Sequence, residues 1–140
     1  MSSATGLPTD SKLGPGAPRG PVGAPGGPPP RNTDNDIWAA DIHMTPNGKF
    51  LYISERTSNT LAAFSVDATS GKLTYVSSTP TEKQPRGFNI DPKGRFLVAT
   101  GEKSATISVY AIDQGSGALK FLNKYPTGKG SNWVEMVSFD

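Results

Sequence analysis

The chain has 140 residues, no cysteine, one histidine and a formal charge of +2, from 14 basic and 12 acidic side chains. That inventory leaves no disulfide framework, no thiol nucleophile and no His/Cys metal cluster. Lys12, Arg19, Arg31 and Asp10 are the charged residues of positions 1–31, so residues 32–140 balance at eleven basic and eleven acidic. A neutral body argues against nucleic acid or an acidic membrane as a partner.

Residues 1–31 carry eight prolines and seven glycines without apolar periodicity, which predicts a disordered segment. Glycine recurs every third residue only at Gly20, Gly23 and Gly26, too briefly for a collagen helix. No apolar run reaches the length of a secretory signal core or of a membrane span. The junction of this segment with the rest of the chain is abrupt. It reads either as a natural linker or as the product of a truncated gene or a shifted reading frame, and the second is the expectation.

From Ile42 the chain repeats itself. Residues 42–87 and 88–133 align without a gap and agree at 13 of 46 positions, among them Pro46 with Pro92, Gly48 with Gly94, Asp67 with Asp113, Gly71 with Gly117 and Pro80 with Pro126. A period of roughly 40 to 50 residues built from short strands marks β-propeller blades, one four-stranded sheet per copy. Alternation and β-branched or aromatic content predict strand a over 42–45 and 88–91, strand b over 50–54 and 96–100, strand c over 61–66 and 107–112, and strand d over 73–77 and 119–123. Proline and glycine in 46–49 and 92–95 supply the a–b turns, and Asp and Gly in 67–72 and 113–118 the c–d turns. No helical pattern occurs in this half. A third copy opens with Val134, Glu135, Met136 and Val137, which predicts one extra strand over 134–137.

The expectation is therefore an all-β chain: two four-stranded antiparallel blades, 42–87 and 88–133, plus one extra strand of a β-propeller. Residues 32–140 form that partial domain behind the disordered 1–31. Propellers close with about four to eight blades, so two blades do not close a ring. A truncated chain is expected, with apolar blade faces open to association.

In a propeller the b–c loops and d–a connections gather at one end of the central channel, the usual ligand-binding face. That end collects Glu55, Arg56, Glu102 and Lys103 from the b–c loops, and Asp41, Gln84, Arg86, Asn132 and Trp133 from the approaches to strand a. The copies diverge here, Arg56 being replaced by Glu102 and Arg86 by Asn132, as expected when repeats keep shape and the rim makes a site. Arg56 and Arg86 suit a phosphate, a carboxylate or a developing oxyanion, or else form inter-blade salt bridges with Glu55, Glu82 or Glu102. Glu102 is a candidate general base or a solvated turn residue. His43 is a proton-shuttle candidate or a histidine satisfied by a backbone contact. Gln84, Asp41, Lys103 and Asn132 are the candidate substrate-binding set. Trp38 and Trp133 read as inter-blade packing or as stacking platforms for a sugar.

Residues 38–66 (WAADIHMTPNGKFLYISERTSNTLAAFSV), 82–113 (EKQPRGFNIDPKGRFLVATGEKSATISVYAID) and 128–136 (GKGSNWVEM) resemble the C-terminal part of the lactonase family of seven-bladed β-propellers. That family includes the propeller-type 6-phosphogluconolactonases, and the fungal carboxy-muconate cyclases are similar to it. The QPRG before strand a and the arginine after strand b carry the likeness. The resemblance implies hydrolysis of 6-phospho-D-glucono-1,5-lactone to 6-phosphogluconate in the oxidative pentose phosphate pathway, in the cytoplasm, without metal or cofactor. It implies a sugar lactone as the small-molecule partner, and it carries the family's arginines onto Arg86 and Arg56. The alternatives are a non-catalytic propeller fragment or interaction module, and a lactonase or cyclase acting on another lactone.

Overall fold

The structure, a computed structural model, describes residues 32–139; the disorder expected of 1–31 falls outside the described residues. Eight strands occur in the order β1 Ala39–Met44, β2 Phe50–Glu55, β3 Thr60–Val66, β4 Leu73–Pro80, β5 Phe88–Ile90, β6 Phe96–Thr100, β7 Thr106–Ile112 and β8 Leu119–Pro126. They form two antiparallel sheets, β1-β2-β3-β4 and β5-β6-β7-β8, one per sequence repeat, and no helix occurs among the described residues.

The outer strands run past their expected ends. Thr60 pairs with Pro80 and Thr106 with Pro126, because an edge strand follows its partner and tolerates proline where no ladder donor is needed. Both outer strands also carry the same bulge. Ala63 faces Ser77 while Phe64 faces Tyr75, and Val109 faces Asn123 while Tyr110 faces Phe121, so Val76 and Leu122, one repeat apart, are the extra residues that twist the edge.

The strand expected over 134–137 is not formed, since residues 131–139 are in no strand. In both blades strand a pairs with strand b of its own blade, and among the described residues no strand comes after Val137 to play that part. Val134 nevertheless lies beside β5, where Asn89 Nδ2 donates to its carbonyl at 3.1 Å.

The core lies between the two sheets. The first blade turns Phe50, Tyr52, Leu61 and Ala63 toward the second, which answers with Phe88, Ile90, Leu97, Ala99, Tyr110 and Ile112. Burying each large side chain is worth about 1.5–3 kcal/mol, so this face holds the two sheets together. Two tyrosines tie it in opposite directions: Tyr52 donates its hydroxyl to Gly117 O at 2.7 Å, and Tyr110 donates to Pro80 O at 2.9 Å. Burial pushes the Tyr52 phenol far up, with the Asp113 charge adding to it, which keeps the group a donor.

Gly117 has φ +77°, and a methyl placed on it would overlap the Phe50 ring. Its repeat counterpart Gly71 has φ +70° but faces open space. Gly71→Ala is therefore expected to cost about 1 kcal/mol, for the backbone conformation alone. Gly117→Ala is expected to cost about 1–3 kcal/mol more, because it also overpacks the interface; denaturant unfolding of the pair at low concentration measures the difference.

Glu82, in the connection between blades, is buried and accepts from Thr106 Oγ1 at 2.9 Å and Ser108 Oγ at 2.6 Å, with Lys124 Nζ at 3.3 Å. Burial works to raise its pKa, but hydrogen bonds from Ser108, Ser104, Thr106 and Lys124 outweigh it and hold the carboxyl below its ordinary value. A lowered carboxylate contributes stability that is whole above its unfolded value, about 4.3, and is lost as pH falls through the folded value. Glu82→Gln is expected to cost about 2 kcal/mol near pH 7 and to flatten the loss of stability below about pH 4. Unfolding curves from pH 3 to pH 7 check both.

Candidate functional site

The connection from β4 to β5 is held from both sides by main chain. Gln84 N donates to Asn59 Oδ1 at 2.8 Å, while Glu102 N donates to Gln84 O at 3.0 Å and Lys103 N to Lys83 O at 3.2 Å. Thr100 closes the segment by donating through both its amide and its hydroxyl to Gly87 O, at 3.0 and 2.9 Å. Pro85 is buried and Arg86 exposed, so a rigid segment carries an arginine outward.

A cavity of about 260 Å³ opens there, lined by Ala40, Asp41, Arg86, Gly87, Asn132 and Trp133. These are two positions of the 46-residue repeat taken three times: Ala40, Arg86 and Asn132, then Asp41, Gly87 and Trp133. Three successive copies thus present equivalent residues around one mouth. At Gly87 a methyl would overlap the Asn132 carbonyl, so glycine lets the next connection close down on this one.

Asp41 is fixed between the blades. Its Oδ1 accepts from Ile42 N at 2.9 Å, and its Oδ2 accepts from Phe88 N at 3.3 Å and meets His43 Nε2 at 3.1 Å. The His43 ring packs edge-on to Phe88, centroids 4.9 Å apart.

Opposite Asp41 stands a chain of three charges. Arg86 Nη1 donates to Glu102 Oε1 at 3.0 Å, and Arg56 Nη2 donates to the other oxygen, Oε2. The Arg56 guanidinium lies 4.4 Å above the Trp38 ring and is 12 % exposed, against 53 % for Arg86. One arginine is thus packed behind the wall and the other, in the wall, offers donors to whatever fills the cavity. Trp38 is in turn tethered through its amide to Glu55 Oε1 at 2.7 Å. Glu55 is fully buried, and it also takes the amides of Thr57 and Ser58 and the Ser58 hydroxyl.

Of the residues singled out in the sequence, Arg86, Asp41 and Asn132 line the cavity, Arg56 and Glu102 stand behind Arg86, and His43 stands behind Asp41. The partner of His43 is the Asp41 carboxylate rather than a backbone group. Gln84 and Lys103 are not in the cavity wall; they contribute main-chain bonding. Trp133 is exposed on that wall, its indole N–H 3.3 Å from Glu135 Oε2, while Trp38 supports Arg56. Ala40 and Gly87 carry no polar side chain to mark them as wall residues in the sequence, although their offset of one repeat from Arg86 and Trp133 was visible. Among the described residues no group of three or more His, Asp or Glu side chains forms a metal site.

A family model described as "Lactonase, 7-bladed beta-propeller" matches residues 25–136. A 6-phosphogluconolactonase of Pectobacterium carotovorum is 55 % identical over 62 residues, which make up 44 % of this chain and 19 % of that one; the match spans about a fifth of the length of such relatives. A crystal structure from Bacteroides fragilis superposes with a TM-score of 0.68 at 33 % identity, covering 71 % of this chain and 28 % of that one. The periplasmic gluconolactonase of Pseudomonas aeruginosa superposes with a TM-score of 0.64 at 32 % identity, covering 69 % and 27 %. Those shares are close to two blades in seven.

Proposed function

The chain belongs to the lactonase family of seven-bladed β-propellers, and from that premise we propose that its cavity is part of a site hydrolysing 6-phospho-D-glucono-1,5-lactone to 6-phosphogluconate, without metal or cofactor. The observation that carries this reading is the pairing of an exposed guanidinium, Arg86, with a fixed carboxylate, Asp41, across one cavity in which neither is bonded to the other.

Water adds to the lactone carbonyl as the Asp41 carboxylate takes its proton. The negative charge that develops on the carbonyl oxygen falls to the donors of Arg86 that Glu102 leaves unused, worth about 3 kcal/mol of barrier once substrate covers them. The ring C–O bond then breaks, the departing oxygen takes the proton back from Asp41, and the product leaves as the acid. Glu102 does not line the cavity and accepts from both guanidinium groups, so it aims Arg86, while Asp41, which does line the cavity, is the carboxylate within reach of a substrate water. Arg56, stacked and largely buried, positions Glu102. His43 orients Asp41 from behind, and Asn132 completes the wall for substrate hydroxyls.

The same reading assigns the chain to the oxidative pentose phosphate pathway and to the cytoplasm. The name of the Pectobacterium relative supports it, and a composition free of cysteine is compatible with a reducing compartment. The Pseudomonas structure, named as a periplasmic gluconolactonase, favours a second reading in which the lactone carries no phosphate.

Arg86→Ala is expected to lower the turnover of phosphogluconolactone by about 100- to 1000-fold, read as acid release above the spontaneous rate, and to abolish the chemical-shift changes that 6-phosphogluconate causes at Asp41 and Asn132. Unchanged turnover and unchanged shifts in the variant would refute the assignment. Parallel assays with unphosphorylated gluconolactone decide between the two substrates.

A further inference from the structure

The charges around the cavity cancel. Arg56 and Arg86 share the carboxylate of Glu102, one guanidinium to each oxygen, and Asp41 in the wall supplies a further negative charge. Two cations and two anions leave no net charge, His43 aside, which suits a neutral group such as a lactone ring. The two anions are not equivalent. Glu102 is ion-paired on both oxygens, whereas among the described residues no lysine or arginine pairs with Asp41. The partners of its carboxylate are the main-chain amides of Ile42 and Phe88 and the His43 ring. Of the equivalent repeat positions Asp41, Gly87 and Trp133, only Asp41 carries a charge.

That charge lies close to whatever the cavity holds. A compact cavity of about 260 Å³ is about 8 Å across, no wider than the screening length in physiological salt, about 8 Å. A group bonded to Arg86 therefore feels Asp41, whose side chain is 32 % exposed and only partly screened by water. Hydrolysis changes the charge at the reacting carbon. The lactone carbonyl is neutral, but the acid it becomes gives its proton to bulk water at pH 7 and stands as a carboxylate. The unused donors of Arg86 attract that carboxylate as they attract the oxyanion before it. Asp41 opposes it.

We propose that Asp41 is the selectivity residue of this site as well as its base: its charge admits the neutral lactone and expels the carboxylate that hydrolysis leaves on the same carbon. Product then does not accumulate in the cavity, and acid in solution inhibits only weakly. This rests on the reading of the cavity as a lactone site. An Asp41 that only joined the blades through the Phe88 amide would carry no such preference.

The test compares gluconate with gluconamide, which present a carboxylate and a neutral amide at that carbon. Each is titrated into the full chain at one pH and ionic strength, and the amide shifts of Arg86 and Asn132 are followed. Asp41→Asn is expected to bind gluconate about tenfold more tightly than the wild type does and gluconamide within about twofold of it. Asp41→Ser replaces Asp41→Asn if that variant loses its far-UV spectrum. A variant that leaves gluconate affinity unchanged or weaker, or that moves both ligands together as a loosened wall would, overturns the proposal while the lactone reading stands. Shifts with neither ligand in any variant remove the site itself, and the lactone reading with it.

Discussion

Every feature of this chain depends on the apolar contact between two sheets that are each hydrophobic on both sides. A propeller blade cannot satisfy its apolar faces alone, because both lie across the direction in which the blades stack. Phe50, Tyr52 and Leu61 find that satisfaction against Leu97, Tyr110 and Ile112. The same contact sets the angle at which the inner strands approach one another, and through it the position of every residue at the channel mouth. Asp41 reaches the Phe88 amide, and Arg56 reaches Glu102, only because the blades are packed in this register.

The site arises from a division of labour within the repeat. Positions that pack are alike in the two copies, as with Phe50 and Phe96 or Phe64 and Tyr110. Positions at the mouth are not: Ala40, Arg86 and Asn132 occupy one repeat position, and Asp41, Gly87 and Trp133 another. A scaffold with near-rotational symmetry delivers equivalent Cα positions to one cavity, and chemistry arises where the side chains on them break that symmetry. A carboxylate, a guanidinium, an amide and an indole therefore stand around one mouth, a variety that identical residues would not supply.

Much of this was legible in the sequence, for a physical reason. The 46-residue period fixes strand number and order, because the same turn residues recur at the same offsets: Gly48 and Gly94 in the a–b turns, with φ near +70°, and Asp67 and Asp113 in the c–d turns. Arg86 and Asp41 stood out because they flank inner strands where the copies diverge. What could not be read depends on geometry that leaves no compositional mark. The bulges at Val76 and Leu122 shift register without a special residue. The sharing of Glu102 between two arginines depends on a distance between loops of different blades. The strand expected over 134–137 is not formed, no strand pairing with it among the described residues, which alternation within four residues cannot reveal.

The central claim is that the two sheets form one cooperative body joined by their shared face. Native-state hydrogen exchange tests it most directly, comparing the slowest amides of β2 and β3 with those of β6 and β7. The account predicts the same opening free energy for both sets, with parallel loss on adding denaturant. Full protection of one sheet while the other exchanges freely would contradict it.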